Sequence, residues 1–305
     1  MQKLIAKLSA QKNLSMRENA PMAEYTSFQI GGPADLFIEP ETKEALIGSY
    51  RILAEEGITP LIIGAGSNLL VADGGIRGVV IRLAKPLNQV SVEGEYITAE
   101  AGISLARLAA EALSFSLSGL EFASGIPGSL GGAVFMNAGA YGGEMKDVIV
   151  ETEYLAKDGN VSVVSGDAHD FGYRHSIFSE KGGIVLASKM KLARGNSDEI
   201  RATMLELNTR RKDKQPLNFP SAGSFFKRPE GHFAGKLIED AGLKGTTFGG
   251  AQISEKHAGF VINTGGATAK DVCRLMDYVK EKVFEKYGII LEPEVRMLGD
   301  FSDSL

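Results

Sequence analysis

The 305-residue chain reads as an α+β fold in three segments, 1–86, 87–196 and 197–305. Three observations predict it. Apolar runs of strand length alternate with a few strongly periodic helical stretches, two uncharged glycine-rich stretches interrupt that alternation, and the length suits two or three domains of roughly 100–150 residues.

In the first segment Ala34 to Glu39 has strand character, and Thr42 stands where it can N-cap an apolar-periodic helix that runs to about Glu56 and stops at Gly57. Leu61 to Ile63 and Val79 to Leu83 follow as strands on either side of Gly64-Ala65-Gly66-Ser67-Asn68-Leu69-Leu70, and the unit ends near Lys85-Pro86. From Val90 the pattern turns to short strands, a helix over Ser104 to Leu113, and a long glycine loop. Ile149 to Ala156 and Val161 to Val164 flank Lys157-Asp158-Gly159-Asn160 and predict a hairpin. Alternation continues through Ile184 to Leu192. Ser197 is then expected to cap a helix carrying Ile200, Met204 and Leu207 and ending in Arg210-Arg211-Lys212-Asp213-Lys214 before Pro216. The last third is expected to form a compact α/β domain. Its main helix starts at Thr268 with Asp271 as capping-box partner, presents Val272, Leu275, Met276, Val279 and Val283 on one face, and stops at Gly288. Ile289 to Leu291 and Val295 to Leu298 read as strands around Glu292-Pro293-Glu294.

Composition excludes several classes of function. With 44% hydrophobic and 23% charged residues the chain is an ordinary globular one, and a net charge of −5 speaks against a nucleic-acid partner. The single cysteine, Cys273, rules out an intrachain disulfide framework and a CxxC metal site, and suits a reducing cytoplasm. Met1 to Asn13 alternates Lys with Leu and Ile without the apolar core of a signal peptide, and no stretch is apolar enough to span a bilayer. The expectation is a cytoplasmic protein without membrane insertion.

The stretch Gly125 to Gly143, GIPGSLGGAVFMNAGAYGG, holds seven glycines in nineteen residues and no charged side chain. Glycines let main-chain N–H groups approach a ligand and converge in one concavity, which suits an anionic phosphate, although they also serve simply to make tight turns. Together with the Gly64 to Leu70 loop it points to one ligand with a long phosphate-bearing body. A Rossmann reading fails because Leu69 stands where the third glycine belongs, and a Walker loop fails because neither stretch ends in Gly-Lys-Ser/Thr. His169, His175, His232 and His257 form no metal pattern, so no metal is expected, and no GxSxG elbow supports a hydrolase. Three clusters remain for chemistry: Gly172 to Ser176, Ser221 to Pro229 and Leu291 to Arg296. An Arg and a Glu can stabilise a developing oxyanion and a Ser can deliver a proton to a carbanion, but spacing alone leaves other roles open.

Taken in order, Thr26-Ser27-Phe28-Gln29-Ile30-Gly31-Gly32-Pro33-Ala34, both glycine stretches, Tyr173-Arg174, Gly223-Ser224-Phe225-Phe226-Lys227 and Glu292-Pro293-Glu294-Val295-Arg296 resemble the UDP-N-acetylenolpyruvoylglucosamine reductase family over nearly the whole chain. The resemblance implies a flavin-binding fold of the p-cresol methylhydroxylase type, two subdomains holding non-covalent FAD, followed by a C-terminal α/β substrate-binding domain. It implies FAD contacts at Gly64, Ala65, Gly66, Ser67, Asn68, Leu69, Gly128, Ser129, Gly131, Gly132, Asn137 and Gly139. It makes Ser224 the proton donor, with Arg174 and Glu294 polarising the substrate carboxylate, and gives substrate contacts at Tyr173, Lys214, Lys244 and His257. NADPH and a UDP-sugar enolpyruvyl ether are then the small-molecule partners of a monomer in peptidoglycan precursor synthesis. Only fifty positions separate Arg174 from Ser224, which resembles the family's short-loop branch. An oxidase on the same fold would often tether its flavin through His or Cys, and neither residue occurs before His169. A non-catalytic nucleotide-binding protein is the other alternative.

Overall fold

The computed structural model describes residues 1–83 and 87–302, so the segment boundary expected near Lys85-Pro86 lies outside the described residues. The chain forms two compact units, residues 1–17, 37–65 and 79–210 in the first, and 18–36, 66–78 and 211–305 in the second.

The first unit contains most of a four-stranded sheet in which Leu61–Ile63 runs parallel to Ile76–Arg82, with Leu61 opposite Val80. The helix Lys43–Glu55 begins where its sequence places it: Thr42 Oγ1 accepts from Ala45 N at 3.1 Å. The second sheet is antiparallel. Its strands run in the order Val161–Ser165, Ile149–Leu155, Ile184–Lys191, Tyr96–Glu100 and Val90–Glu93. The expected hairpin is present, with Leu155 opposite Val161. One face of this sheet packs with the helix Leu105–Ser114, capped by Ser104, around Ile97, Leu105, Leu108, Val134, Met145, Phe178 and Met190.

The second unit has a four-stranded antiparallel sheet in the order Ser221–Ser224, Phe260–Asn263, Ala251–Ile253 and Thr247–Phe248. The helix Ala269–Tyr287 lays the expected face of Val272, Leu275, Met276, Val279 and Val283 into this unit's core, and Gly288 ends it in the left-handed conformation. Its start is unusually well held. Thr268 and Asp271 form the capping box, while Asp73 Oδ1 and Oδ2 accept from Ala269 N at 2.7 Å and Lys270 N at 3.0 Å. Three N–H groups that a helix start leaves open therefore have partners, two of them a carboxylate favoured by the helix dipole. Cys273 lies buried on this helix, its thiol pushed up to about 11 by burial, with Asp277 and Asp73 adding to the effect.

Three elements differ from the expectation. Ile289 to Leu291 is irregular, because the pairing falls further on: Lys227 N donates to Glu292 O and Glu294 N to Phe225 O, both at 2.8 Å, leaving Ile290 exposed. The helix Ser197–Lys214 is capped by Asn196, whose Oδ1 accepts from Asp198 N and Glu199 N, while Ser197 Oγ bonds Ser116 Oγ. The long glycine stretch is partly helical over Leu130–Phe135, and a tight pairing of Gly139–Ala140 with Gly143–Glu144 follows. The helix Gln2–Leu8 has buried anchors in Leu4 and Leu8, but its alternating lysines hide a helical period.

Candidate functional site

In the first unit the strand Leu61–Ile63 delivers Gly64 against Ser129, the N-cap position of the helix Leu130–Phe135. A Cβ on Gly64 would stand 2.5 Å from Ser129 Oγ, so glycine leaves that hydroxyl the space it occupies. That hydroxyl is buried, caps no helix N–H and has no hydrogen-bond partner. Nearby donors are already spent: Leu130 N donates to Ile103 O and Gly131 N to Ala101 O, while Gly128 O accepts from Leu105 N. Gly132 lies within reach of the same hydroxyl, its Cβ position being 3.7 Å from Ser129 Oγ. Natural proteins rarely leave a buried hydroxyl orphaned, and a cofactor phosphate bound beside it would supply the missing acceptor. The cradle therefore fits the phosphate end of FAD.

Asn137 and Gly139, further along the stretch, are committed to the protein. The Asn137 amide bonds Glu144, Gly172 and Lys146, and a Cβ on Gly139 would run into Gly143 O and Glu144. Tyr173 and Arg174 sit at the tip of a turn closed by reciprocal bonds, Gly172 N to His175 O at 3.1 Å and His175 N to Gly172 O at 3.2 Å. Tyr173 is exposed, the Arg174 guanidinium lies 5.1 Å from the centre of its ring, and Arg174 has φ +54°. A non-glycine residue in that region is strained by about 1–3 kcal/mol, a pattern that concentrates at functional sites. His175 braces the turn from outside, with Nε2 3.3 Å from Asp170 Oδ2 and 3.8 Å from Glu180 Oε2. These are solvent-facing contacts worth little individually.

The second unit carries the rest of the first glycine loop. Gly66 has φ +72° and packs on the carbonyl of Tyr25, where a Cβ has no room. Asn68 Nδ2 donates to Glu294 O at 3.1 Å, Arg296 N donates to Asn68 O at 3.0 Å, and Leu69 pairs with Arg296 where two short parallel strands begin. The loop thereby fixes the segment bearing Glu294. Phe226 bridges Pro293 antiparallel, so Glu294 faces Phe225, the residue after Ser224. Ser224 closes the strand Ser221–Ser224 opposite Phe260, is exposed, and its hydroxyl bonds no described residue. The structure thus brings Ser224 and Glu294 to neighbouring positions of one small ladder.

Lys214, Lys244 and His257 belong to this unit as well. His257 Nδ1 accepts from Gly259 N at 3.1 Å, which leaves the proton on Nε2, and Ser254 Oγ accepts from His257 N. Burial, with the positive fields of Lys244 and Lys214 adding to it, lowers the His257 pKa and keeps the ring neutral. The ring is a fixed N–H donor beside two ammonium groups, an arrangement suited to a diphosphate. Lys244 is held by Glu239 at 2.7 Å.

Sequence reasoning missed the roles of Asp73 and Glu144. Both look like ordinary loop acids in sequence, and only their tertiary partners distinguish them.

The family described as "UDP-N-acetylenolpyruvoylglucosamine reductase, C-terminal domain" matches residues 215–298, and one described as "FAD binding domain" matches residues 34–165. A UDP-N-acetylenolpyruvoylglucosamine reductase of Caldanaerobacter subterraneus subsp. tengcongensis is 54% identical over 92% of this chain and 93% of its own. One of Clostridioides difficile is 50% identical over 93% and 94%. The crystal structure of UDP-N-acetylenolpyruvylglucosamine reductase from Thermus caldophilus superposes with a TM-score of 0.80 at 37% identity, covering 94% of this chain and 99% of that one. With identity of this order along nearly the full length of each relative, and an FAD-binding domain joined to the reductase's C-terminal domain, this chain is an FAD-dependent oxidoreductase belonging to the UDP-N-acetylenolpyruvoylglucosamine reductase family.

Proposed function

We propose that the protein uses NADPH to reduce the enolpyruvyl ether of UDP-N-acetylglucosamine to UDP-N-acetylmuramate, a step in peptidoglycan precursor synthesis that feeds cell-wall growth, cell shape and division. The observation that supports the site assignment is the ladder in which Phe225, the residue after the exposed Ser224, pairs with Glu294. FAD, when bound, supplies the hydride acceptor and donor that joins the two substrates. Ser129, with Gly64, Ala65, Gly128, Gly131 and Gly132, holds its phosphate end. Gly66 to Leu69 and Gly139 contribute through the shape of the two loops.

At the substrate, hydride is added at C3 of the enolpyruvyl group and Ser224 gives its hydroxyl proton to C2. Arg174 meets the substrate carboxylate with a planar two-point fork, and Glu294 acts with it in polarising that carboxylate and the enolate-like intermediate. Tyr173 lies against the arginine. Lys214, Lys244 and the neutral His257 take the diphosphate, two as charges and one as a directed N–H. Segments 1–86 and 87–196 act as the flavin subdomains and 197–305 as the substrate domain. No described helix is long and apolar enough to cross a membrane; a cytoplasmic monomer is part of the proposed reading.

The test is anaerobic: purified yellow protein should bleach with NADPH and recolour when the enolpyruvyl sugar nucleotide is added. Bleaching without recolouring would remove the substrate from the reading. Recolouring by O₂ alone, at catalytic rate, would point to an oxidase.

A further inference from the structure

Asn137 is fully buried, adopts φ +43°, and lies just past the end of the helix Leu130–Phe135. Its amide is fully engaged. Nδ2 donates to Glu144 Oε2 at 2.9 Å and to Gly172 O at 2.9 Å, and Oδ1 accepts from Lys146 N at 2.9 Å. Both amide hydrogens are used, so the side chain has no donor left for a cofactor. Gly172 opens the turn whose tip is Tyr173-Arg174, and a second tether comes from the same helix: Ser176 Oγ donates to Phe135 O at 2.8 Å. The turn is thus gripped before and after Arg174 by the C-terminal end of one helix. Glu144, which Asn137 also holds, bonds Lys146 Nζ at 2.9 Å. Its carboxyl is held below the usual carboxylate range, first by Lys146 and then by Asn137, with the Arg174 charge contributing.

We propose that Asn137 is a positioning residue for Arg174, fixing the Gly172 carbonyl from which the arginine's turn starts. This rests on the assignment of Arg174 to the substrate carboxylate above. Asn137 and Ser176 clamp both ends of the turn whose tip carries the strained arginine, and so hold the backbone from which its side chain is aimed. Releasing one clamp lets the guanidinium drift, and a misplacement near 1 Å costs up to about 10²-fold in rate.

Asn137→Asp keeps the size, the tolerance for positive φ and the acceptor toward Lys146 N. It replaces the donor with an oxygen that faces Glu144 Oε2 and Gly172 O, so both contacts become repulsive. Three measurements test it: FAD content, the two half-reactions by anaerobic stopped flow, and hydrogen exchange of the Gly172 and His175 amides. Flavin reduction by NADPH should stay within about 3-fold while reoxidation by the enolpyruvyl sugar nucleotide falls about 10- to 100-fold. The two turn amides should exchange faster. In an Arg174→Ala background the same change should cost less than about 2-fold, because a residue acting through Arg174 has nothing left to position. Loss of FAD, equal slowing of both half-reactions, or full additivity with Arg174→Ala would overturn the proposal. Should Asn137→Asp fail to fold, Ser176→Ala read by the same measurements decides. If the wild-type protein is bleached by NADPH but never recoloured by the sugar nucleotide, the functional reading fails, while faster exchange of the turn amides still reports the clamp.

Discussion

Ser129→Ala should move the stability of the flavin-free protein and its affinity for FAD in opposite directions. The Ser129 hydroxyl is buried without a partner, and an unsatisfied group of this kind costs about 1–3 kcal/mol. Removing it should therefore stabilise the flavin-free protein by about 1–2 kcal/mol, raising its melting temperature by a few degrees for a unit of this size. On the proposed assignment the same hydroxyl would donate to a charged phosphate when FAD binds, a bond worth about 1.5–3 kcal/mol, so the dissociation constant should rise about 10- to 100-fold. Flavin-fluorescence titration and calorimetry of stripped protein read the two quantities separately. Gly64→Ala supplies the control, because its Cβ would lie 2.5 Å from Ser129 Oγ and must displace it. That variant should lose FAD affinity without gaining stability. The double variant should recover flavin-free stability, since the next atom, Ser129 Cβ, lies at a comfortable 3.8 Å. Unchanged FAD affinity in Ser129→Ala, or a less stable flavin-free protein, would refute the cradle.

Four further outcomes follow from the structure. Ser224→Ala should bind FAD and accept hydride from NADPH normally while reoxidation by the sugar nucleotide falls by more than about 10²-fold, and Ser224→Cys should recover part of that loss; equal effects on both half-reactions would make the serine structural. Arg174→Lys should slow the substrate half-reaction by at least about 10-fold despite the retained charge, because lysine lacks the planar fork, and near-normal turnover would remove Arg174 from the site. FAD should be released completely by acid precipitation, since the single cysteine is buried in a helix and its thiol is held protonated; colour remaining on the denatured chain contradicts this. His169 is buried, bonds Gly166 O and Thr152 Oγ1, and has its pKa lowered mainly by burial, so the unfolded chain binds its proton first. Its contribution to stability is present above the unfolded value of about 6.5 and is lost as pH falls through the lower folded value; His169→Gln should flatten that acid decline in thermal scans.

Local rules that need no tertiary partner were readable in the sequence. Thr42, Ser104 and Thr268 are helix starts by side-chain chemistry alone, and each accepts the expected backbone N–H. The apolar stripe from Val272 to Val283 buries as its spacing demands. Long-range pairing was the part that stayed hidden. Ile289 to Leu291 has strand composition, yet the backbone groups of Phe225 to Lys227 pair with Glu292 to Glu294 instead. The glycine stretch reads as loop because glycine depresses helix propensity, but Leu130, Ala133 and Val134 anchor a short helix by burial. Site residues followed the same division. The motif around Gly64 and Ser129 could be named from composition, whereas the orphaned hydroxyl and the saturated Asn137 amide exist only once Ile103, Glu144 and Gly172 are in place.

That short helix explains how a stretch without a charged side chain can govern both ends of the first unit's chemistry. Leu130–Phe135 spans six residues, about 9 Å of axis at 1.5 Å per residue. Ser129 precedes it and faces Gly64 with the hydroxyl assigned to the cofactor phosphate. At its other end Phe135 O accepts from Ser176, and Asn137 holds Gly172, on either side of the arginine assigned to the substrate carboxylate. A charged side chain in the helix would compete with the phosphate proposed at Ser129, and the helix carries none. A rigid element this short transmits position rather than charge. On the proposed assignment, its packing residues Leu130, Ala133 and Val134 therefore matter to catalysis as much as the polar groups at its two ends.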